Sequence, residues 1–164
     1  MVLNLRKIFV TDDYTIPIEY KLDLGDIDFG GVYALKKPVD IKGEVTSSAG
    51  VVALSMHITA WYCAPCDRCG LETETAIPFD IEYILATNTQ NEDNDDIVTV
   101  PDYQLDLDEI VRSDVLLHIP MKHLCKDDCK GICSKCGKNL NEGSCNCETK
   151  EIDPRLAALA DLLK

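Results

Sequence analysis

The sequence lacks a long apolar run. Its first ten residues, MVLNLRKIFV, contain only a few apolar side chains before Thr11, Asp12 and Asp13, so the continuous apolar stretch of a secretory signal is missing. No other segment approaches the roughly 20 apolar residues that a membrane-spanning helix requires. From these two absences we expect a cytoplasmic protein that makes no membrane contact.

Positive charge and catalytic motifs are also scarce. The chain has 16 Lys and Arg against 29 Asp and Glu, a formal net charge of -13, and the resulting field repels phosphate. General binding of nucleic acid is therefore disfavoured. The sequence contains no glycine-rich phosphate loop, no G-x-S-x-G and no H-E-x-x-H motif. We therefore expect no enzyme activity and no small-molecule substrate.

Cysteine, in contrast, is abundant and clustered. Of the nine cysteines, three lie between Cys63 and Cys69 and six between Cys125 and Cys147. In the cytoplasm the thiol pool keeps cysteines reduced, so they do not form a disulfide framework there. Clustering of this kind is typical of metal ligands rather than of scattered core residues.

Four segments show the period-two alternation of strands: residues 14–20, 39–45, 52–62 and 75–83. The third is the clearest, because Val52, Leu54, Met56, Ile58, Ala60 and Tyr62 all fall on one face. The fourth follows a turn that contains cysteines. We therefore expect the last two strands to be antiparallel neighbours joined by this turn.

Two helices are predicted in the second half of the chain. Apolar residues between Leu107 and Leu117 indicate an amphipathic helix limited by Pro120, and Asp153-Pro154 is a favourable start for a short C-terminal helix. The predicted fold is α+β: an antiparallel β-sheet or partly open barrel with a central helix, a cysteine-rich zinc-binding loop and the short C-terminal helix. Its segments are a β-rich body (1–87), an acidic loop (88–96), a strand and helix packing on the body (97–124), a zinc-binding module (125–147) and a tail helix (148–164).

The segment Cys133-Ser134-Lys135-Cys136-Gly137 has the pattern of a metal knuckle. Two thiolates three positions apart can converge on one ion, and the glycine allows the backbone to turn so that N–H groups face the sulfurs. Cys145 and Cys147 return after a turn-rich segment and can complete a tetrahedron. Four thiolates without an open position predict a structural Zn²⁺ ion.

Several alternatives to this ligand set remain open. Cys125 and Cys129 could replace Cys145 and Cys147, with His123 as a competing nitrogen ligand, or they could form a second site with Cys66 and Cys69 if the two regions meet. An iron–sulfur cluster is less favoured, because the polar knuckle would expose it. Cys66 and Cys69 also form a C-x2-C pair, but redox pairs usually open a helix, whereas a strand is predicted here. We interpret His57 and His118 as surface or packing residues.

The cysteine segments resemble the YceD family, also called the large ribosomal RNA subunit accumulation proteins. The resemblance is carried by Cys129-Lys130-Gly131-Ile132-Cys133, by Cys136-Gly137-Lys138-Asn139-Leu140-Asn141, by Cys145-x-Cys147, by Ile152-Asp153-Pro154-Arg155-Leu156 and by the earlier Cys66-Asp67-Arg68-Cys69. It implies a bacterial cytoplasmic protein, without established enzyme activity, that is needed for normal accumulation of large-subunit ribosomal RNA. Because some members lack the second cysteine cluster, it also implies a stabilising role for the metal. Cys63 lies outside the matching segments.

The implied function and the net charge favour different partners. Backbone affinity for RNA comes from Lys and Arg, and the possible RNA contacts are near the cysteines: Lys126, Lys130, Lys135, Lys138 and Arg68. An acidic surface is better suited to a basic ribosomal protein or an rRNA-processing factor. We therefore expect a non-enzymatic ribosome-biogenesis factor that acts through protein contacts. A direct RNA-binding zinc module and a thiol redox protein or sensor using Cys66 and Cys69 are the alternatives.

Overall fold

A computed structural model describes residues 1–88 and 96–147. Most of the predicted acidic loop and the whole predicted C-terminal helix lie outside these residues. Within the described part, no helix is long and apolar enough to cross a membrane. The chain divides into two compact units: unit 1 comprises Met1–Ala64 and Glu74–Met121, and unit 2 comprises Pro65–Thr73 and Lys122–Lys164.

The described elements are seven strands, one short 3-10 helix and one α-helix. In chain order they are β1 (Val2–Asn4), β2 (Thr15–Leu22), β3 (Val39–Ser48), β4 (Val51–Pro65), β5 (Glu72–Ala86), β6 (Ile97–Thr99), the 3-10 helix (Pro101–Tyr103), β7 (Gln104–Asp106) and α1 (Leu107–His118). The four strands predicted from alternation are present as β2 to β5, and each is longer than the predicted pattern.

The main sheet has the strand order β2-β3-β4-β5-β6. β3 pairs antiparallel with both β2 and β4. Only residues 66–71 join β4 to its neighbour β5, and so short a connection between two long strands requires them to be antiparallel. Among the described strands β2 and β6 occupy opposite edges and do not pair, so this sheet does not close into a barrel.

β6 departs from the predicted antiparallel sheet because it pairs in parallel with β5, with Ile84 opposite Ile97. Antiparallel neighbours can be joined by a tight hairpin, whereas parallel neighbours need a longer connection. Residues 87–96 separate the two strands and provide that length. The sheet is therefore mixed rather than antiparallel throughout.

Alternation along β4 places the predicted apolar face in the core of unit 1. Val52, Leu54, Met56, Ile58 and Ala60 are buried, whereas the intervening residues are exposed or half-buried. The core also contains Leu5 and Ile8, which precede β2 and have no strand or helix pattern of their own. The sequence did not predict their burial, nor the small sheet formed by β1 and β7.

The α1 helix begins and ends where its sequence favours a helix boundary. The side chain of Asp106 caps the N-terminus by accepting a hydrogen bond from the backbone N–H of Asp108. The helix ends before Ile119-Pro120, since a residue that precedes proline avoids helical backbone angles. Val111 and Val115 are buried, but Leu117, which the apolar pattern included, is 78% exposed.

Gly43 in β3 lies against the backbone of β4. A Cβ atom at this position would lie 2.2 Å from the carbonyl oxygen of Ser55 and 2.7 Å from the Cα atom of Met56. Both atoms belong to the backbone of the neighbouring strand, so a rotamer change cannot remove the clash. A side chain at position 43 therefore requires the two strands to move apart.

We predict that Gly43→Ala lowers the free energy of unfolding by about 1–3 kcal/mol, because the added methyl group overpacks this strand pair. Urea denaturation followed by circular dichroism measures the change. Glu44→Ala is the matched control, since Glu44 is exposed on the same strand and its loss is expected to change stability by no more than about 0.5 kcal/mol. Equal effects of the two substitutions would contradict the predicted clash.

Candidate metal centres

Unit 2 brings four cysteine sulfurs together from two distant parts of the chain. We call Cys66, Cys69, Cys125 and Cys129 the first sulfur group, and its four sulfur atoms all lie within 4.8 Å of one another. The sulfur of Cys66 is 3.8 Å from that of Cys129, and the sulfur of Cys69 is 3.6 Å from that of Cys125. The turn between β4 and β5 thus meets the segment at 125–129.

These distances fit four ligands around one metal ion. All nine cysteines are free, and a disulfide would require sulfurs about 2 Å apart. Zinc–sulfur bonds of about 2.3 Å in a tetrahedron place the sulfurs about 3.8 Å from one another. The sulfur–sulfur distances of 3.8 Å and 3.6 Å agree with that spacing. The first sulfur group could therefore hold a metal ion without rearrangement of its backbone.

The second sulfur group consists of Cys133, Cys136, Cys145 and Cys147, and its sulfur atoms also lie within 4.8 Å of one another. Cys133 is buried, Cys145 and Cys147 are half-buried, and Cys136 is exposed. This is the set predicted from the knuckle spacing. Of the arrangements left open by the sequence, the structure therefore pairs Cys125 and Cys129 with Cys66 and Cys69.

The two sulfur groups contain knuckles with the same hydrogen bonds. In the first, the N–H of Gly70 donates to the carbonyl of Cys66 and the N–H of Cys66 donates to that of Leu71. In the second, the N–H of Gly137 donates to the carbonyl of Cys133, and the N–H of Cys133 donates to the carbonyl of Lys138. Both glycines have a φ of 72°, a left-handed value that favours glycine. The pattern C-x2-C-G therefore specifies the same turn twice.

Backbone N–H groups in both knuckles favour the ionised form of the leading thiol. Desolvation opposes ionisation of Cys66, but the N–H groups of Cys125, Arg68 and Cys69 outweigh it and lower the pKa of this thiol to about 6. The N–H groups of Cys136 and Lys135 likewise lower the pKa of Cys133 to about 6. Thiolate is the form of cysteine that binds metals.

One other thiol in each group, that of Cys125 in the first and that of Cys147 in the second, is harder to ionise. Desolvation and the neighbouring thiols, that of Cys129 first, raise the pKa of Cys125 to about 12. The hydrogen bond with Cys136, followed by desolvation, raises the pKa of Cys147 to about 12. Such opposed shifts are expected where acidic groups crowd together, because one negative charge disfavours the next. A bound cation would remove this penalty.

Asn141 links the loop of the second sulfur group to a ligand of the first. Its Nδ2 atom donates to the sulfur of Cys129 at 3.3 Å, and its Oδ1 atom accepts from the backbone N–H of Lys130 at 2.9 Å. The backbone adds a further connection, since the N–H of Leu140 donates to the carbonyl of Gly131. The segment Cys129–Cys133 therefore belongs to the surroundings of both groups.

Charged side chains also hold the backbone around the first sulfur group in place, although they do not contact its sulfur atoms. Arg68 donates from its guanidinium to the carbonyl oxygen of Cys129 at 2.6 Å, and the Asp67 carboxylate accepts from the backbone N–H of His123 at 2.7 Å. The Nε2 atom of His123 lies 2.7 Å from the hydroxyl oxygen of Thr73. His123 is in neither of the two four-cysteine groups among the described residues, so the structure does not place it with the candidate ligands.

The other candidate residues lie in unit 1. The thiol of Cys63 donates to the Glu74 carboxylate at 3.5 Å, and desolvation followed by this carboxylate raises its pKa. The Nδ1 atom of His57, which is exposed, lies 2.7 Å from Asp80. The ring of His118 stacks on Phe79 with centroids 3.9 Å apart. His57 therefore has a surface role and His118 a packing role, as the sequence indicated for these two histidines.

The structure exposes all five side chains proposed as RNA contacts: Arg68, Lys126, Lys130, Lys135 and Lys138. Several of them also make local contacts. Lys138 donates to the carbonyl of Ser144 at 2.9 Å, and Lys126 lies 3.7 Å from Asp128. The sequence did not predict the hydrogen bond of Arg68 to the carbonyl of Cys129. Nor did it predict the contacts of Asn141 with Cys129 and Lys130. The repeated glycine after each C-x2-C pair was a signal that the first pair forms a knuckle.

We predict that Asn141→Ala lowers the affinity of the first sulfur group for a divalent metal by about tenfold or more, because the sulfur of Cys129 loses the donor that orients it. A Co²⁺ titration followed through the thiolate-to-cobalt absorption bands measures the affinity. Ser144→Ala is the control, since Ser144 lies in the same loop and the structure shows only its backbone carbonyl in use. Unchanged affinity in Asn141→Ala would disprove the link.

Comparison with known proteins gives one family. The family model described as "Large ribosomal RNA subunit accumulation protein YceD" matches residues 54–163. The uncharacterized protein YlbN of Bacillus subtilis is 32% identical over 131 residues, which cover 77% of this chain and 75% of the relative. An uncharacterized Mycobacterium tuberculosis protein is 28% identical over 148 residues, covering 90% of this chain and 70% of the relative.

A third relative carries a functional name. It is the chloroplastic "Large ribosomal RNA subunit accumulation protein YCED homolog 1" of Arabidopsis thaliana, 37% identical over 59 residues that cover 36% of this chain and 18% of the relative. No solved structure matches this chain significantly. The match over residues 54–163 includes both sulfur groups and both knuckles. The chain therefore belongs to the YceD family.

Proposed function

We propose that this chain is a non-enzymatic factor that supports accumulation or processing of large-subunit ribosomal RNA through contact with a protein partner. We further propose that each sulfur group holds one structural zinc ion. The family match over residues 54–163 carries the functional part, since the family description and the Arabidopsis relative both name accumulation of this RNA. The two sets of four sulfurs carry the metal part.

Burial in unit 2 supports a structural metal. The buried side chains of its described part are Cys66, His123, Cys129 and Cys133, with no aliphatic residue among them. Leu71 is 55% exposed and Ile132 is 51% exposed. A segment that buries so little apolar surface needs another source of stability, and a metal bound only by the folded chain provides it.

The donor set supports zinc over other ions. Four thiolates select soft metals, and a closed tetrahedron is the usual geometry of structural zinc. An iron–sulfur cluster also uses four cysteines, but the exposed Cys136 would leave a cluster in the second group open to solvent. A closed zinc site has no free coordination position, so it supports folding rather than catalysis.

Charge in unit 1 supports a protein partner. Its described residues include seventeen Asp and Glu against seven Lys and Arg. Such a surface repels the phosphate backbone of RNA and speeds encounter with basic proteins. Ribosomal proteins and factors that bind rRNA are rich in basic residues, so a partner of this class fits the charge.

We predict that anaerobically purified protein contains two zinc ions per chain by elemental analysis. Cys133→Ser is expected to lower this value to about one, because removal of one thiolate opens the second tetrahedron. Cys63→Ser is the matched control and is expected to retain both ions, since Cys63 is outside both groups. Protein with no zinc, and with a reversible disulfide between Cys66 and Cys69, would instead support the redox alternative.

We predict that cells lacking this protein have a lower ratio of large-subunit to small-subunit ribosomal RNA, because large-subunit RNA that is not assembled correctly is degraded. The RNA is measured by capillary electrophoresis of total RNA. Expression of the intact chain and of Cys63→Ser is expected to restore the ratio. A normal ratio in the deletion strain would disprove the proposed function.

Direct contact with RNA is the second candidate function, favoured by the exposure of the five basic side chains in unit 2. It predicts that a variant with Lys126, Lys130, Lys135 and Lys138 all changed to Gln does not restore the RNA ratio. It also predicts binding to ribosomal RNA that weakens steeply with salt. Full restoration by this variant would support protein contact instead.

A further inference from the structure

Unit 1 contains a cavity of about 550 Å³ beside α1, β6 and β7. Among the described residues its lining includes three acidic side chains, Asp106, Glu109 and Asp114, and no Lys or Arg. Apolar walls are provided by Val98, Leu105 and Ile110. A site with apolar walls and carboxylates of one sign suits a ligand that has an apolar stem and a positive end.

Asp114 differs from the other residues that line this cavity, because the fold alone does not explain why its carboxylate is buried. Its side chain is 5% exposed, and its Oδ1 atom accepts a hydrogen bond from the hydroxyl of Tyr83 at 2.8 Å. Its Oδ2 atom is buried and has no hydrogen-bond partner in the structure described. A buried carboxylate oxygen that lacks a partner is unfavourable unless a cation or donor reaches the group.

The other two carboxylates have a simpler explanation, which separates them from Asp114. Asp106 caps α1 and Glu109 lies in its first turn, where negative charge is favoured by the helix dipole. Asp114 lies further along the helix, where the dipole gives no such stabilisation. The cavity therefore combines two carboxylates placed by the helix terminus with one buried carboxylate, of which only one oxygen has a partner.

The backbone at the cavity wall is strained. Pro101 and Gln104 line the cavity, and Asp102 and Tyr103 between them have φ values of 52° and 59°. Two consecutive non-glycine residues in left-handed conformations are disfavoured, and such strain concentrates at ligand sites. This observation is independent of the charges and of the burial of Asp114.

We propose that this cavity receives an arginine side chain from a basic protein segment. The planar guanidinium group has five donors, enough to bond the carboxylates of Asp114 and Glu109 together. The aliphatic stem then packs on Val98 and Ile110. The choice of a basic protein as the source rests on the proposed function, whereas the site itself rests on the cavity.

The site is tested with a nona-arginine peptide and the full zinc-loaded chain. Two-dimensional ¹H–¹⁵N spectra should show shifts concentrated at Tyr83, Ile110 and Ser113. Ser113→Leu places an aliphatic side chain on the exposed helix position that lines the cavity, and Glu109→Gln removes one charge. Each is expected to weaken binding about tenfold, the size of one charge-assisted hydrogen bond.

Glu82→Gln is the control, because Glu82 is exposed on β5 and does not line this cavity. It should bind the peptide as the unmodified chain does. Equal weakening by Glu82→Gln and Glu109→Gln would show general charge attraction and overturn the site, as would an unchanged affinity in Ser113→Leu. The dispersion of each variant's spectrum verifies that it is folded.

The role of the site in cells is tested separately from the proposed function. If the cavity binds the partner, Ser113→Leu should fail to restore the ribosomal RNA ratio although it retains two zinc ions. Full restoration by Ser113→Leu would overturn this use of the cavity and leave the proposed function intact. A normal ratio in the deletion strain, by contrast, would disprove the proposed function itself.

Discussion

The close approach of four sulfur atoms, twice in one small unit, is the constraint on which unit 2 depends. Its described part buries cysteines and one histidine but no aliphatic side chain, so hydrophobic burial contributes little there. Crowded thiols alone are unfavourable, as the opposed pKa shifts of Cys66 and Cys125 indicate. A metal ion held by these sulfurs would resolve both problems, since it would supply stability and favour the thiolate form. Unit 2 thus differs in kind from unit 1, which has an ordinary apolar core.

Local sequence patterns predicted the elements whose signal lies within a few residues. Alternation from Val52 to Tyr62 indicated β4 and its buried face, and the spacing from Cys133 to Cys147 indicated one sulfur group. The sequence suggested Cys125 and Cys129 as partners of Cys66 and Cys69 only as one of several alternatives. Residues more than fifty positions apart leave no local signal of contact. The same limit applies to Asn141, whose bond to Cys129 depends on how two turns meet.

The structural features that the sequence did not predict have a common physical cause. β1 and β7 have three residues each, too few for a period of two to be recognised, and they are stabilised by pairing with each other. Leu5 and Ile8 are buried by tertiary packing outside any regular strand. The parallel pairing of β6 depends on the path of the chain between strands, which composition does not specify. In each case contacts distant in sequence decide the structure.

The proposed metal centres would change the charge argument for RNA. Without them, the described part of unit 2 is nearly balanced, with six Lys and Arg against five Asp and Glu. Four thiolates around a divalent ion carry a net charge of about -2. Two such centres would therefore outweigh the small positive excess. Because unit 1 is acidic as well, the charge of both units would then suit the basic protein partner proposed above better than RNA.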